Sequence, residues 1–125
     1  WGQGLTKLEM NEGVLSSTLT LDDRIIAGYP ANDDADLINT LTIVPEALIS
    51  VLFIEQENGG VKVSWRSVKG LDVSGIAAQF GGGGHASAAG ADIKGELQEV
   101  KKLVLAETHH YVNSKGRSIQ RNNGV

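Results

Sequence analysis

Apolar residues fall along this chain in short runs with two different periods. Leu5 and Leu8 stand three apart within Gly4–Glu12, which predicts the end of a helix stopped by Gly13. Val14–Leu21 is rich in β-formers, with Leu15, Leu19 and Leu21 on one side, and reads as a strand. Asp22 and Asp23 predict the cap of a short helix reaching Gly28, and Tyr29-Pro30-Ala31-Asn32 reads as a turn. Asp33 or Asp34 caps a second helix with Leu37, Ile38 and Leu41 on its buried face. Pro45 ends it by biasing Val44 away from helical geometry.

The second half is more regular. Ala47–Glu55 is apolar at almost every position, the mark of a strand covered on both faces. Asn58-Gly59-Gly60 predicts a hairpin, because Asn-Gly tolerates the positive φ that tight turns need. Val61–Ser67 alternates, with Val61, Val63 and Trp65 on one face and Lys62, Ser64 and Arg66 on the other. Asp72 caps a helix with Val73, Ile76, Ala77 and Phe80 at helical spacing. Gly81–Gly84, His85 and the small residues Ala86–Ala89 follow, and Ala91-Asp92-Ile93 reads as a short strand. Glu96–Thr108 predicts a closing helix with Leu97, Val100, Leu103 and Val104 inward, and the polar sequence from Asn113 reads as a loose tail. The expected fold is a single layered α/β domain over residues 1–112, its mixed sheet of about four to five strands flanked by helices.

Bulk composition narrows this picture. At 125 residues, 41% hydrophobic and 21% charged, the chain is long enough for one packed domain. There is no cysteine, hence no disulfide framework or thiolate metal site, in keeping with a cytoplasmic location. No apolar run approaches the roughly 18–20 residues that span a bilayer. No leader pattern is present, and the start at Trp1 leads us to expect an upstream domain, with residues 1–12 as the end of a linker helix. The net charge of −4 argues against tight binding of long duplexes, which depends on a broad basic surface. It leaves room for a small phosphate pocket, where two or three placed donors suffice.

The glycine run is the strongest chemical signal. Each glycine costs on the order of 0.5–1 kcal/mol of backbone entropy relative to alanine. Four in a row are useful only where the backbone needs unusual φ values or a close approach. Gly81, Gly82, Gly83 and Gly84 are expected to form a concave amide site, with His85 beginning the next helix and donating to a phosphate oxygen. The alternative is a flexible hinge or a tight helix–helix connection, with His85 a bystander. A P-loop is excluded because no Lys-Ser/Thr follows. Gly81-x-Gly83-x-x-Ala86 matches a loose dinucleotide fingerprint, but that fingerprint must follow a strand, and Asp72–Phe80 has helical periodicity. On the polar face of Val61–Ser67, Arg66 offers a bidentate fork for phosphate, with Ser64 and Ser67 as hydroxyl donors. Lys62 is read as part of a solvated face.

The runs VKVSWRS (Val61–Ser67) and LDVSGIAAQFGGGGHASAAGA (Leu71–Ala91) resemble the DHH-associated domain of bacterial phosphoesterases, most closely the nanoRNase/pAp-phosphatase type. The resemblance extends from about Val14 to Thr108. It implies a division of labour: an N-terminal DHH domain carries two manganese ions, and the C-terminal domain holds the terminal nucleotide. Implied substrates are short RNA oligonucleotides, 3′-phosphoadenosine 5′-phosphate, or linear and cyclic dinucleotides. Carried over by position, Arg66 and Ser67 match the family's Arg-Ser, Gly81–Gly84 its glycine loop and His85 its histidine, with Ser64 a weaker match. The Asp-His-His motif is missing, because His109-His110 follow Thr108. Adjacent helical residues diverge by about 100°, so this pair is read as solvated and not as a chelate. The chain alone is expected to bind no catalytic metal and to hydrolyse nothing. Trp65 stands where the family often has a smaller aliphatic residue, and is read as core, with base stacking as the alternative. Its expected partners are a nucleotide phosphate, its own DHH domain and no membrane, with dimerisation left open. Two other readings remain: a stand-alone nucleic-acid-binding module, and a scaffold without a ligand.

Overall fold

A computed structural model describes residues 7–21 and 47–123 of the chain. The strands are β1 (Lys7–Asn11), β2 (Val14–Leu19), β3 (Ile49–Glu55), β4 (Gly60–Ser67), β5 (Gly83–His85) and β6 (Ala88–Lys94). Helix α1 (Ser74–Gln79) lies between β4 and β5, and α2 (Leu97–Asn123) follows β6. The strands form one sheet in the order β1-β2-β3-β4-β6-β5. Only β2 and β3 are parallel; every other pair is antiparallel. The expected mixed α/β domain is found, with strands at both edges that raise the count to six. The helices expected from Asp22 to Gly28 and from Asp33 to Val44 lie outside the described residues.

Residues 7–11 correct the expected linker helix. They form β1, whose exposed Leu8 and Met10 alternate with Lys7, Glu9 and Asn11. Glu12 and Gly13 have φ of 51° and 85°, the double positive φ of a two-residue hairpin turn. The three-residue spacing of Leu5 and Leu8 was the weaker signal. At the second hairpin, Gly59 (φ 85°) turns the chain between β3 and β4, and the Asn58 side chain accepts the Gly60 N–H at 3.0 Å.

The sheet is buried on both faces at its centre. On one face Ile49, Val51 and Phe53 of β3 and Val61, Val63 and Trp65 of β4 pack with Val73, Ile76 and Ala77 and with Leu97, Val100, Val104 and Val112 of α2. On the other, Leu15, Leu19, Leu52 and Ile54 form a second cluster with Ala47. Burying such side chains contributes roughly 1.5–3 kcal/mol each, which makes β3 the axis of the domain. Trp65 is fully buried, stacks on Phe80 at 6.2 Å between centroids, and donates its indole N–H to Thr108 Oγ1 at 3.1 Å. Its role is therefore core packing, and base stacking is excluded.

Helix α2 buries a stripe at Leu97, Val100, Val104, Thr108 and Val112. Leu103, expected inward, lies off that stripe and is 59% exposed. The helix does not end near Thr108 but continues through the polar stretch to Asn123.

Candidate functional site

Directly opposed residues in antiparallel strands place their side chains on the same face. The register therefore builds a row across the sheet: Ser50, Arg66, Ala88 and His85, from β3 through β4 and β6 to β5. The next row is Leu52, Ser64, Gly90 and Gly83. Both rows lie on the face away from Trp65, α1 and α2, because alternate strand residues point to opposite faces. Arg66 and His85 thus share one surface. They stand two strand spacings apart, about 10 Å between Cα atoms, with only the methyl group of Ala88 between them. Gly83 and Gly90 leave the adjoining backbone bare. His85 is exposed and Arg66 and Ser64 half-buried. Neither the Arg66 nor the His85 side chain has a hydrogen-bond or ion-pair partner among the described residues.

The four glycines do not share one reason. Gly81 has φ of 83° and closes α1: its N–H donates to Ala78 O at 3.1 Å, and that of Gly82 donates to Ala77 O at 2.9 Å. This is the paired-bond helix stop that favours glycine. A Cβ on Gly82 would stand 2.1 Å from Gly90 O, and one on Gly84 2.6 Å from Ala88 O. Those two glycines let β5 approach β6. Gly83 alone has neither constraint: its φ is not positive, and a Cβ there meets nothing within 4 Å.

These facts correct the expected helix-start cradle. No helix begins at His85; Gly83–His85 form a three-residue edge strand, because the small residues Ala88–Ala91 allow the glycine backbone to pair closely with them. The glycine run itself follows the C-terminus of α1, whose dipole is negative and does not attract anions. The amides of Gly81 and Gly82 are spent on that helix. Among the described residues, an anion on this face would meet the Arg66 and His85 side chains and the outward edge of β5, since unpaired groups are a general property of sheet edges.

Ser67, expected beside Arg66, is on the other face of β4. Its Oγ lies 3.1 Å from Ala86 O and 3.3 Å from Leu71 O. Lys62 lies on the same face as Arg66, opposite Asp92. The residues that sequence reasoning missed are the floor, Ala88 and Gly90. Their signal was the small-residue run after His85, whose meaning depends on strand pairing.

Asp72 lies close to the expected cap of α1. Its carboxylate accepts the Ser74 hydroxyl and, at 2.9 Å, the Ser74 N–H; these bonds hold it below the usual carboxylate range. Its own N–H donates to Tyr111 Oη at 2.7 Å, tying the start of α1 to α2. Of the histidine pair, His110 is exposed while His109 is half-buried, with Nδ1 buried and lacking a hydrogen-bond partner. Among the described residues no three His, Cys, Asp or Glu side chains come together as a metal site. No described helix is long and apolar enough to cross a membrane.

The DHHA1 domain model matches residues 24–113, most of the chain. The chain belongs to the DHHA1 domain family. This DHHA1 domain is 34% identical over 116 residues to the bifunctional oligoribonuclease and PAP phosphatase NrnA of Thermus thermophilus, covering 92% of the chain and 35% of that protein. It is 38% identical over 66 residues to the NrnA of Mycoplasma genitalium, covering 53% of the chain and 20% of that protein. The domain therefore spans about a third or less of the curated relatives it matches. Among solved structures, an exopolyphosphatase-related protein from Bacteroides fragilis superposes with a TM-score of 0.74 at 22% identity, over 90% of this chain and 33% of that one. The pGpG-specific phosphodiesterase PggH from Vibrio cholerae superposes with a TM-score of 0.58 at 15% identity, over 86% of this chain and 35% of that one. At these identities the two structures speak to the DHHA1 fold.

Proposed function

We propose that this DHHA1 domain is the substrate-holding part of a DHH-family phosphoesterase, and that the face formed by β4, β6 and β5 seats a phosphate of a short nucleotide substrate. The observation that carries the reading is the shared row: Arg66, half-buried, and His85, exposed, flank Ala88 on one face, and neither side chain has a protein partner among the described residues. A guanidinium offers a planar pair of donors to phosphate, and an imidazole a third. Ser64 lies in the adjoining row, and bare backbone at Gly83 and Gly90 lets a ligand approach closely. Short oligoribonucleotides and 3′-phosphoadenosine 5′-phosphate are the substrates of choice, since both NrnA relatives carry those activities in their names. Linear or cyclic dinucleotides are the other candidates.

In this reading the hydrolytic chemistry belongs to a manganese-bearing DHH domain. Among the described residues, His109 and His110 are neighbours on α2 and no third ligand joins them. The domain's own part is to bind and orient, which fixes the scissile phosphodiester relative to groups elsewhere.

Calorimetric titration with 3′-phosphoadenosine 5′-phosphate tests the seat. Each charge-assisted bond contributes roughly 1.5–3 kcal/mol, so Arg66→Ala and His85→Ala are each expected to weaken binding about tenfold or more. Lys102→Ala, on an exposed turn of α2, serves as the control and leaves affinity unchanged. Equal affinities for wild type, Arg66→Ala and His85→Ala would overturn the assignment.

A further inference from the structure

Ser67 adjoins Arg66 in sequence, yet its bonds run toward the turn that follows His85. Its N–H donates to the Ser87 carbonyl at 3.0 Å, and its hydroxyl lies within bonding distance of the Ala86 and Leu71 carbonyls. A hydroxyl has one proton to donate. Here that proton is committed to main-chain carbonyls, on the face opposite the candidate seat. A phosphate oxygen can only accept, so Ser67 could serve it only by releasing the turn. Ala86 and Ser87 are the two residues that join β5 to β6. The Ala86 carbonyl also accepts the Val73 N–H at 2.9 Å, so this turn is tied to the start of α1 as well. β5 itself is three residues long, two of them glycine, at the edge of the sheet. Such a strand has little of its own to define where its last side chain points.

We infer that Ser67 is a positioning residue: its hydroxyl and N–H fasten the Ala86–Ser87 turn to the end of β4 and so set the separation of His85 from Arg66, without touching the ligand. The inference builds on the proposed phosphate seat, and its test includes a measurement that needs no ligand. Ser67→Ala removes the hydroxyl but keeps the N–H bond to Ser87. In the ligand-free chain, NMR of this variant is expected to show lowered amide order at His85, Ala86 and Ser87 and shifted His85 ring resonances. The amides of Val63 and Trp65 in the same strand stay unchanged. In titrations with 3′-phosphoadenosine 5′-phosphate, Ser67→Ala weakens binding about three- to tenfold, the worth of one ordinary hydrogen bond, and Ser67→Thr restores most of it. That loss disappears in a His85→Ala background and persists in an Arg66→Ala background, as a double-mutant cycle reports.

Two results would overturn the inference. One is a ligand-free Ser67→Ala spectrum identical to wild type at His85, Ala86 and Ser87. The other is a Ser67→Ala loss that stays at full size beside His85→Ala, the mark of a direct hydroxyl–phosphate bond. If Arg66→Ala and His85→Ala both bind as wild type, it is the seat that fails, and the ligand-free spectra still decide the role of Ser67.

Discussion

A single methyl group placed at each glycine of the run separates folding from binding. At Gly82 and Gly84 the new Cβ collides with the main chain of β6. Overpacking against backbone costs typically 1–3 kcal/mol or more, so Gly82→Ala and Gly84→Ala are expected to lower the urea midpoint clearly. At Gly83 there is open space and no left-handed φ. Gly83→Ala is therefore expected to keep wild-type stability to within about 0.5 kcal/mol, the usual range for surface changes, while reducing nucleotide affinity about tenfold through loss of close approach. Urea unfolding paired with calorimetry distinguishes the two classes. Trp65 makes the complementary case on the other face. Trp65→Phe removes the donor to Thr108 and part of a fully buried ring. It is expected to cost about 2–3 kcal/mol in urea unfolding, with affinity unchanged.

At the scale of elements, α1 is six residues long and depends on its ends. A helix this short is not stable by propensity. Its start is held by the Asp72 carboxylate on Ser74 and by Tyr111 on the Asp72 N–H, and its end by the Gly81 and Gly82 amides. The Ser74 bonds depress the folded-state pKa of Asp72. A depressed carboxyl stabilises the fold above its unfolded pKa of about 3.9, and that contribution is lost as pH falls through the lower, folded value. Asp72→Asn is thus expected to be less stable than wild type at pH 6, with the gap closing as pH is taken down toward 2. Urea midpoints across that range check the sign. The β5–β6 hairpin shows the same dependence on its neighbours: its turn is fastened by Ser67 and Val73, not by a strong turn sequence of its own.

For the molecule as a whole, the charge balance bears on how the proposed seat responds to salt. The chain carries a net charge of −4, and the proposed seat offers one guanidinium, Arg66, and one imidazole, His85. Single-strand binding loses affinity with a log–log salt slope of about −0.7 per phosphate neutralised. A seat for one or two phosphates gives a slope no steeper than about −1.4 for a short oligoribonucleotide, and no measurable binding to long duplex at physiological salt. A slope several times steeper in fluorescence titrations would point to a wide basic surface, and so to a nucleic-acid-binding module in place of a nucleotide seat.

Local patterns carried much of this fold. The mostly apolar Ile49–Glu55, the alternating Val61–Ser67 and the Asn58-Gly59 turn were legible because period and turn chemistry are properties of adjacent residues. The motif residues were legible too, since their types and spacing stand in the chain. What pairing decides was not. β1 depended on a two-residue turn at Glu12-Gly13 that competed with a helical spacing, and β5 on a glycine backbone close enough to β6 to hydrogen-bond. The face of each candidate ligand was settled only there: strand alternation sends Arg66 and Ser67 to opposite sides, and cross-strand register sets His85, not Ser67, beside Arg66. Sequence by itself determined which candidate groups this domain carries, because they are written in residue types. Tertiary structure alone decided which of those groups meet, because strands distant along the chain become neighbours only when their main-chain hydrogen bonds form.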